Sequence, residues 1–244
     1  MTTPNEANMY SNSHAPVPNI NGSSVSDFIY TEVSKVDFVN TILFIQSASF
    51  VFLHCSFNNS QIYIKGSTTA MIVFDGTEWT GRQNLNIVIE ACRSIYFTRS
   101  KFTDIDCLND RVIALRNNVE VHVHSCLFVN TLKCVILVES TAFITFNSIT
   151  ISDIKFPWPY QRTKKQLFLA LKSKVLIIAN SYFNNIDFPV IRSSGITDTR
   201  IFHTKFVHCA CPLRIYMIIQ FNPRFLLMGS RFISCLCKSS GGSL

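Results

Sequence analysis

Cys209-Ala-Cys211 and Cys235-Leu-Cys237 are the residues of this 244-residue chain whose type and spacing come nearest to a metal centre. Four thiolates at the corners of a small patch, with His208 beside them, would supply the four S or N ligands of a structural zinc ion. Against this, a CxC spacing is more cramped than CxxC, and a free Cys is the commoner thing, a small filler of a buried interior. Zinc on Cys209, Cys211, Cys235 and Cys237 and four buried fillers are both carried forward as expectations.

Other reactive side chains are scattered. Asp104 and Asp106 share one turn, and Glu78, Asp153 and Asp187 stand alone, whereas acid–base cleavage or calcium binding needs carboxylates gathered in one place. His122 and His124 alternate with Val121 and Val123, so if the valines point inward both imidazoles point outward, without a third ligand. His54 and His203 have no Ser or Cys nucleophile matched to them. No catalytic residue is expected, and no cofactor other than the zinc.

One segment reads as a recognition element. KFPWPYQRTKKQ (155–166) carries Trp158, Tyr160, Arg162, Lys164 and Lys165 together with two prolines, a composition suited to a protruding loop that stacks rings and pairs anions. The competing reading has Trp158 folded back as a cover. If the loop binds, a protein partner is expected ahead of nucleic acid.

What must position these residues is a repeat. Segments such as FVFLHCSFNN (50–59), IYFTRSKFTD (95–104), VHVHSCLFVN (121–130) and RIFHTKFVH (200–208) share a pattern. Two apolar residues alternate, a small residue follows, then an aromatic, then a small polar residue. The anchors are Phe38, Phe57, Trp79, Phe102, Phe128, Thr150, Phe183, Phe206 and Phe232, mostly 22 to 26 residues apart. The position two before the anchor reads Cys55, Thr77, Ser100, Cys126, Ser148, Ser181, Thr204 and Ser230, which suits a cramped interior. The position two after it is rich in Asn and Asp, which tolerate left-handed backbone and can bond the neighbouring turn. Strands that pair with their own copy one repeat later make a parallel β-helix. The expected fold is all-β: a single right-handed parallel β-helix of about nine coils over 25–238, with a flexible polar tail at 1–24, the loop at 155–166 and a C-terminal tail at 239–244.

This coil, h-x-h-x-x-S-x-F-x-N, resembles the repeat of the pectin-lyase-like β-helix superfamily over roughly residues 31–238. That superfamily contains lyases, hydrolases, viral fibres and binding scaffolds, so the resemblance implies architecture more than chemistry. The NTD, DD, GHG and RIK signatures of galacturonases are absent. The coil pattern together with Cys235-Leu-Cys237-Lys-Ser-Ser-Gly-Gly is also similar to the large early (T antigen) proteins of adenoviruses and the related capsid proteins of reptilian adenoviruses. That likeness implies a viral protein that engages host factors or lies at the capsid surface.

Composition bounds the rest. With 48% hydrophobic and 15% charged residues the chain is not a disordered one. The start, MTTPNEANMYSNSHAPVP, has no basic and then apolar stretch, and no 18-residue apolar run exists. A soluble protein is expected, not secreted and without a membrane partner, in the cytoplasm or nucleus, of a host cell if viral. Residues 1–122 hold 8 Lys/Arg against 11 Asp/Glu, and residues 123–244 hold 14 against 4, so an acidic front (−3) precedes a basic back (+10). The expected function is that of a non-enzymatic interaction or assembly protein with an acidic protein partner, and with self-association through the C-terminal coil. The alternative is a carbohydrate-active enzyme or its inactive relative.

Overall fold

Runs in which apolar and polar residues alternate suit half-buried strands, because successive side chains leave a strand on opposite sides. In the computed structural model such runs form 27 strands, β1 to β27 in chain order. It describes residues 21–25, 28–81, 86–105, 113–131, 136–154, 168–171, 173–186, 190–210, 213–216 and 224–235, those of 21–25, 28–29, 168–171, 192–194 and 213–216 by backbone alone. Of the expected tail, only 21–24 fall among these, within β1. The expected loop 155–166 and the tail 239–244 lie outside them.

β1 (Asn21–Val25) runs antiparallel to β2 (Phe28–Ser34). Below that hairpin the pairings are parallel. β2, β3 (Asp37–Val39) and β4 (Ile42–Gln46) open three faces, and β5 (Ser49–Leu53), β6 (Ser56–Asn58) and β7 (Gln61–Lys65) lie beneath them in the same order. Repetition builds faces of ten, nine and eight strands. The protein is all-β, a single parallel β-helix. Between β4 and β25 (Leu213–Tyr216), the ends of the eight-stranded face, the chain completes seven turns. Part coils of two strands flank them: β2 and β3 above, β26 (Arg224–Met228) and β27 (Arg231–Ile233) below. The expectation of about nine coils counted the strands of one face rather than closed turns.

Strands about 4.8 Å apart place identical residues of successive coils near the optimal distance for ring stacking. Phe38, Phe57, Trp79, Phe102 and Phe128 stack at centroid separations of 4.8, 3.9, 5.7 and 4.5 Å, and Phe183, Phe206 and Phe232 continue the column at 4.9 Å. Phe52, Phe74 and Phe97 form a second column, which meets the first edge to face, as in Phe74 against Trp79 at 69°. Beside the rings, the column of small residues settles polar atoms. The Trp79 indole N–H donates to Thr77 Oγ1 at 2.8 Å, and Thr77 Oγ1 shares a 2.8 Å hydrogen bond with Ser100 Oγ.

One anchor is corrected. Ile151, not Thr150, pairs with Phe128 and Phe183, and it is fully buried. Thr150 pairs with Leu127 and Tyr182 on the outer face. Here the small inward position is taken by buried Ile149, while Ser148, expected there, turns the corner with φ +54°. Reading Ser148 as the small residue shifts the frame by one.

Most corners turn on one residue in the left-handed region. Between the ten- and nine-stranded faces these are Lys35, His54, Gly76, Arg99, Ser125, Ser148, Asn180, His203 and Gly229, all with φ of 46 to 63°. All but Gly229, in the last described coil, donate their N–H to the coil below, as from His54 to Asp75 and from Gly76 to Thr98, both at 2.9 Å. At the next corner the left-handed residues include Asn40, Asn59, Asp104, Asn130, Asp153 and Asn185. There side chains bridge coils as expected of a turn ladder, from Asn130 Nδ2 to Asp104 Oδ1 and from Asn185 Nδ2 to Asp153 Oδ1.

Phe128→Ala empties one rung of a packed column and is expected to cost about 3–5 kcal/mol in denaturant unfolding; a near-neutral result would mean that Phe128 is not inside. At Gly76 an added Cβ would come 2.5 Å from His54 Nδ1 on a backbone with φ +61°. Gly76→Ala should therefore lose about 1–2 kcal/mol to the backbone alone, and more to the ring. His54→Ala should recover the second part and not the first, so the double-mutant cycle is expected to be non-additive.

Candidate interaction surface

Four of the five cysteines among the described residues serve the interior. Cys55, Cys92, Cys126 and Cys209 are buried free thiols. Cys55 donates to Val33 and Leu53, Cys126 to Phe97 and His124, and Cys209 to Phe183 and Val207, each through Sγ to a backbone carbonyl. Burial pushes Cys92, Cys126 and Cys209 up to about 12, with the Cys235 thiol adding to the effect at Cys209. Of the expected zinc ligands, Cys209 and Cys235 do lie on consecutive rungs, and Cys235 donates to Phe206 and Ile233. Cys211 and Cys237 lie outside the described residues, and His208 is exposed at a corner. A thiol held neutral and bonded to carbonyls is poorly prepared to ligate a metal, which needs the thiolate. Among the described residues, no three His, Cys, Asp or Glu side chains gather as a metal site.

His122 and His124 face outward between buried Val121 and Val123, as the alternation predicted. His122 has company that sequence spacing hid. Its Nδ1 lies 2.7 Å from Thr145 Oγ1, its Nε2 lies 3.4 Å from Glu120 Oε2, and its ring stacks on Tyr96. Hydroxyl, imidazole and carboxylate in line is the order of an activated nucleophile. However, the strands carrying them, Glu120–His124 and Phe143–Asn147, sit inside the ten-stranded face, where their backbone amides are engaged by neighbours on both sides. No amides are left there to hold an oxyanion. The group is an outer-face ladder.

Four of the ten acids among the described residues are paired with arginine. Arg99 forms a two-bond pair with Asp75, Arg116 lies between Glu90 at 3.1 Å and Glu139 at 3.8 Å, and Arg200 meets Asp198 at 2.6 Å. The Arg200 hydrogen bond, with the Arg200 and Arg224 charges adding to it, holds the Asp198 carboxyl below its ordinary value. That pair persists above the lowered value and is lost as the pH falls through it.

The last coil differs. Phe206 and Leu176 are fully buried in coils above, but Phe225, Leu227, Phe232 and Cys235 are only partly covered. Leu226, Met228 and Ile233, exposed by 48, 52 and 40%, are three of the six exposed large apolar side chains among the described residues. Around them stand the exposed cations Arg224, Arg231 and Lys205. Lys205 lies over the Tyr182 ring and directly above Arg231 in register, and none of the three has an ion-pair partner among the described residues. The sequence showed a basic rear half but not this cluster, because only the register brings 205, 224 and 231 to one end. Trp158, Tyr160, Arg162, Lys164 and Lys165, expected to bind the partner, lie outside the described residues.

Compared with known proteins, the chain matches no family model, no curated protein and no solved structure. Its class follows from its own architecture, a parallel β-solenoid. No helix among the described residues is long and apolar enough to cross a membrane.

With their thiolates suppressed, Cys55, Cys92, Cys126 and Cys209 are expected to resist iodoacetamide at neutral pH and to react only in denaturant. Peptide mapping by mass spectrometry checks this, and native labelling of any of the four would place that thiol outside the core.

Proposed function

We propose that the protein is a non-enzymatic interaction or assembly rod, and that its partner is an acidic protein. The observation that carries this reading is the last coil, where apolar side chains are left half-covered or exposed beside the exposed cations Arg224, Arg231 and Lys205, none of which has an ion-pair partner among the described residues. Apolar groups rimmed by charge are the usual build of an association surface: the apolar part supplies affinity, and the charge governs encounter and choice of partner. The loop residues Trp158, Tyr160, Arg162, Lys164 and Lys165 belong to the same proposal as a second contact. Zinc on Cys209, Cys211, Cys235 and Cys237 remains part of the proposal only as a clasp of this end.

The finer identity we infer rests on the coil's resemblance to the pectin-lyase-like repeat and on its likeness to the adenovirus early and capsid proteins. It supports a viral protein acting on host factors in the nucleus or cytoplasm. A carbohydrate-active enzyme is the weaker reading, since Asp75, Glu90, Glu139, Glu120 and Asp198 are engaged by Arg99, Arg116, His122 and Arg200, and Asp104 and Asp153 by Asn130 and Asn185, rather than facing one another across a cleft.

An affinity capture from cell extract tests the proposal. The doubly substituted Arg224→Glu/Arg231→Glu protein is expected to lose the wild-type partner near 0.1 M salt. The contrast should narrow near 0.5 M, where the Debye length falls to roughly 4 Å. Equal capture by both proteins at low salt would overturn the assignment of this end as the binding surface.

A further inference from the structure

The edge of β26 has the features of a strand-pairing site. On its upper side β26 pairs in register with Asp198–Phe202; on its lower side, among the described residues, no strand follows. A lower edge of this kind presents backbone N–H and C=O groups without a ladder. Along its five residues the side chains alternate: Phe225 and Leu227 continue the inward columns and are half-covered, while Arg224, Leu226 and Met228 are exposed outside. β1 covers the corresponding edge at the other end of the ten-stranded face by pairing with β2.

Charge indicates what fits beneath β26. In the column of Arg224 the residue above is Asp198, so an acid below would sandwich the guanidinium between two carboxylates. On the adjoining face Lys205 stands directly above Arg231, and like charges opposite one another repel. A second copy of this chain meeting end to end would add a second set of these cations. An acidic strand removes the repulsion.

We propose that the lower edge of β26 is a docking site for an extended acidic segment of a partner protein, which joins the ten-stranded face as an added strand. Apolar residues of that segment, two apart, cover Phe225 and Leu227, and acidic residues between them face outward beside Arg224 and Arg231. Backbone hydrogen bonds hold the segment, and the inward pockets and the cations select it. The proposal rests on the reading of the rod as a binding protein and adds the kind of segment it takes.

The test uses the full chain and a fluorescein-labelled, end-blocked pentapeptide, Glu-Val-Glu-Val-Glu, read by anisotropy at low salt. Its controls are Lys-Val-Lys-Val-Lys and two analogues of the acidic peptide, each with alternate amides N-methylated in one of the two registers. Binding of the acidic peptide is expected to weaken at least about tenfold with Arg224→Glu, circular dichroism showing the fold retained. One of the N-methylated analogues should fail to bind, because strand pairing uses every second amide of the added strand. Equal binding of both N-methylated analogues, or of the lysine peptide, would overturn strand addition. Sedimentation showing paired copies that the peptide cannot separate would also overturn it, in favour of a second copy. If the acidic peptide does not bind while Arg224→Glu/Arg231→Glu still loses its captured partner, strand addition falls and the binding reading stands. If neither variant nor peptide shows an effect, both fall.

Discussion

At one corner after another of the rod a backbone N–H is donated to a carbonyl one coil further along, from Lys35 to Leu53, from Asn180 to Phe202 and from His203 to Met228, at 2.9 to 3.0 Å. In most coils the donor sits in the left-handed region for that bond to recur, Gly66 donating to Glu90 without it, and the strands between corners keep their register. The other regularities depend on this one. Equal strands stack equal positions, so Phe lies on Phe and small residue on small residue. The hydroxyls and thiols of the small column then find carbonyls two residues back or one coil away. Corners also select their own occupants. Nineteen described non-glycine residues have positive φ, and Asn, Asp, Ser and His make up most of them, the polar residues that pay least for such backbone.

The repeat was legible because its period is marked by large, rare side chains at regular steps. Phe57, Trp79, Phe102 and Phe206 lie where their spacing placed them, and so do Cys55 and Cys126. The frame slipped only where the marks were weak. In FNSITIS an isoleucine fills the small position and another replaces the aromatic, so the serine and threonine nearby imitate the pattern one residue early. The number of closed turns was less legible than the number of anchors, since a part coil contributes an anchor without closing.

Side-chain groups that depend on register were hidden for a different reason. Thr145 meets His122 because β-strands of successive coils lie side by side, and nothing in a linear reading favours the partner 23 residues away over any other. The same holds for Lys205 and Arg231. The paired cysteines were visible as a motif, but the direction of their thiols was not. For Cys209 that direction is set by the inward column and by the carbonyls of Phe183 and Val207, to which its thiol donates.

All the ladder hydrogen bonds run along the rod, from one coil to the next, and this makes the molecule mechanically anisotropic. A force drawing the two ends apart loads the bonds of one coil interface at a time, so coils peel away in sequence like stitches. With 22 to 26 residues in most coils, each one released lengthens the chain by on the order of 80 Å. A force across the rod meets many strands sharing the load at once. The rod is therefore a body stiff to bending that yields along its axis in discrete steps.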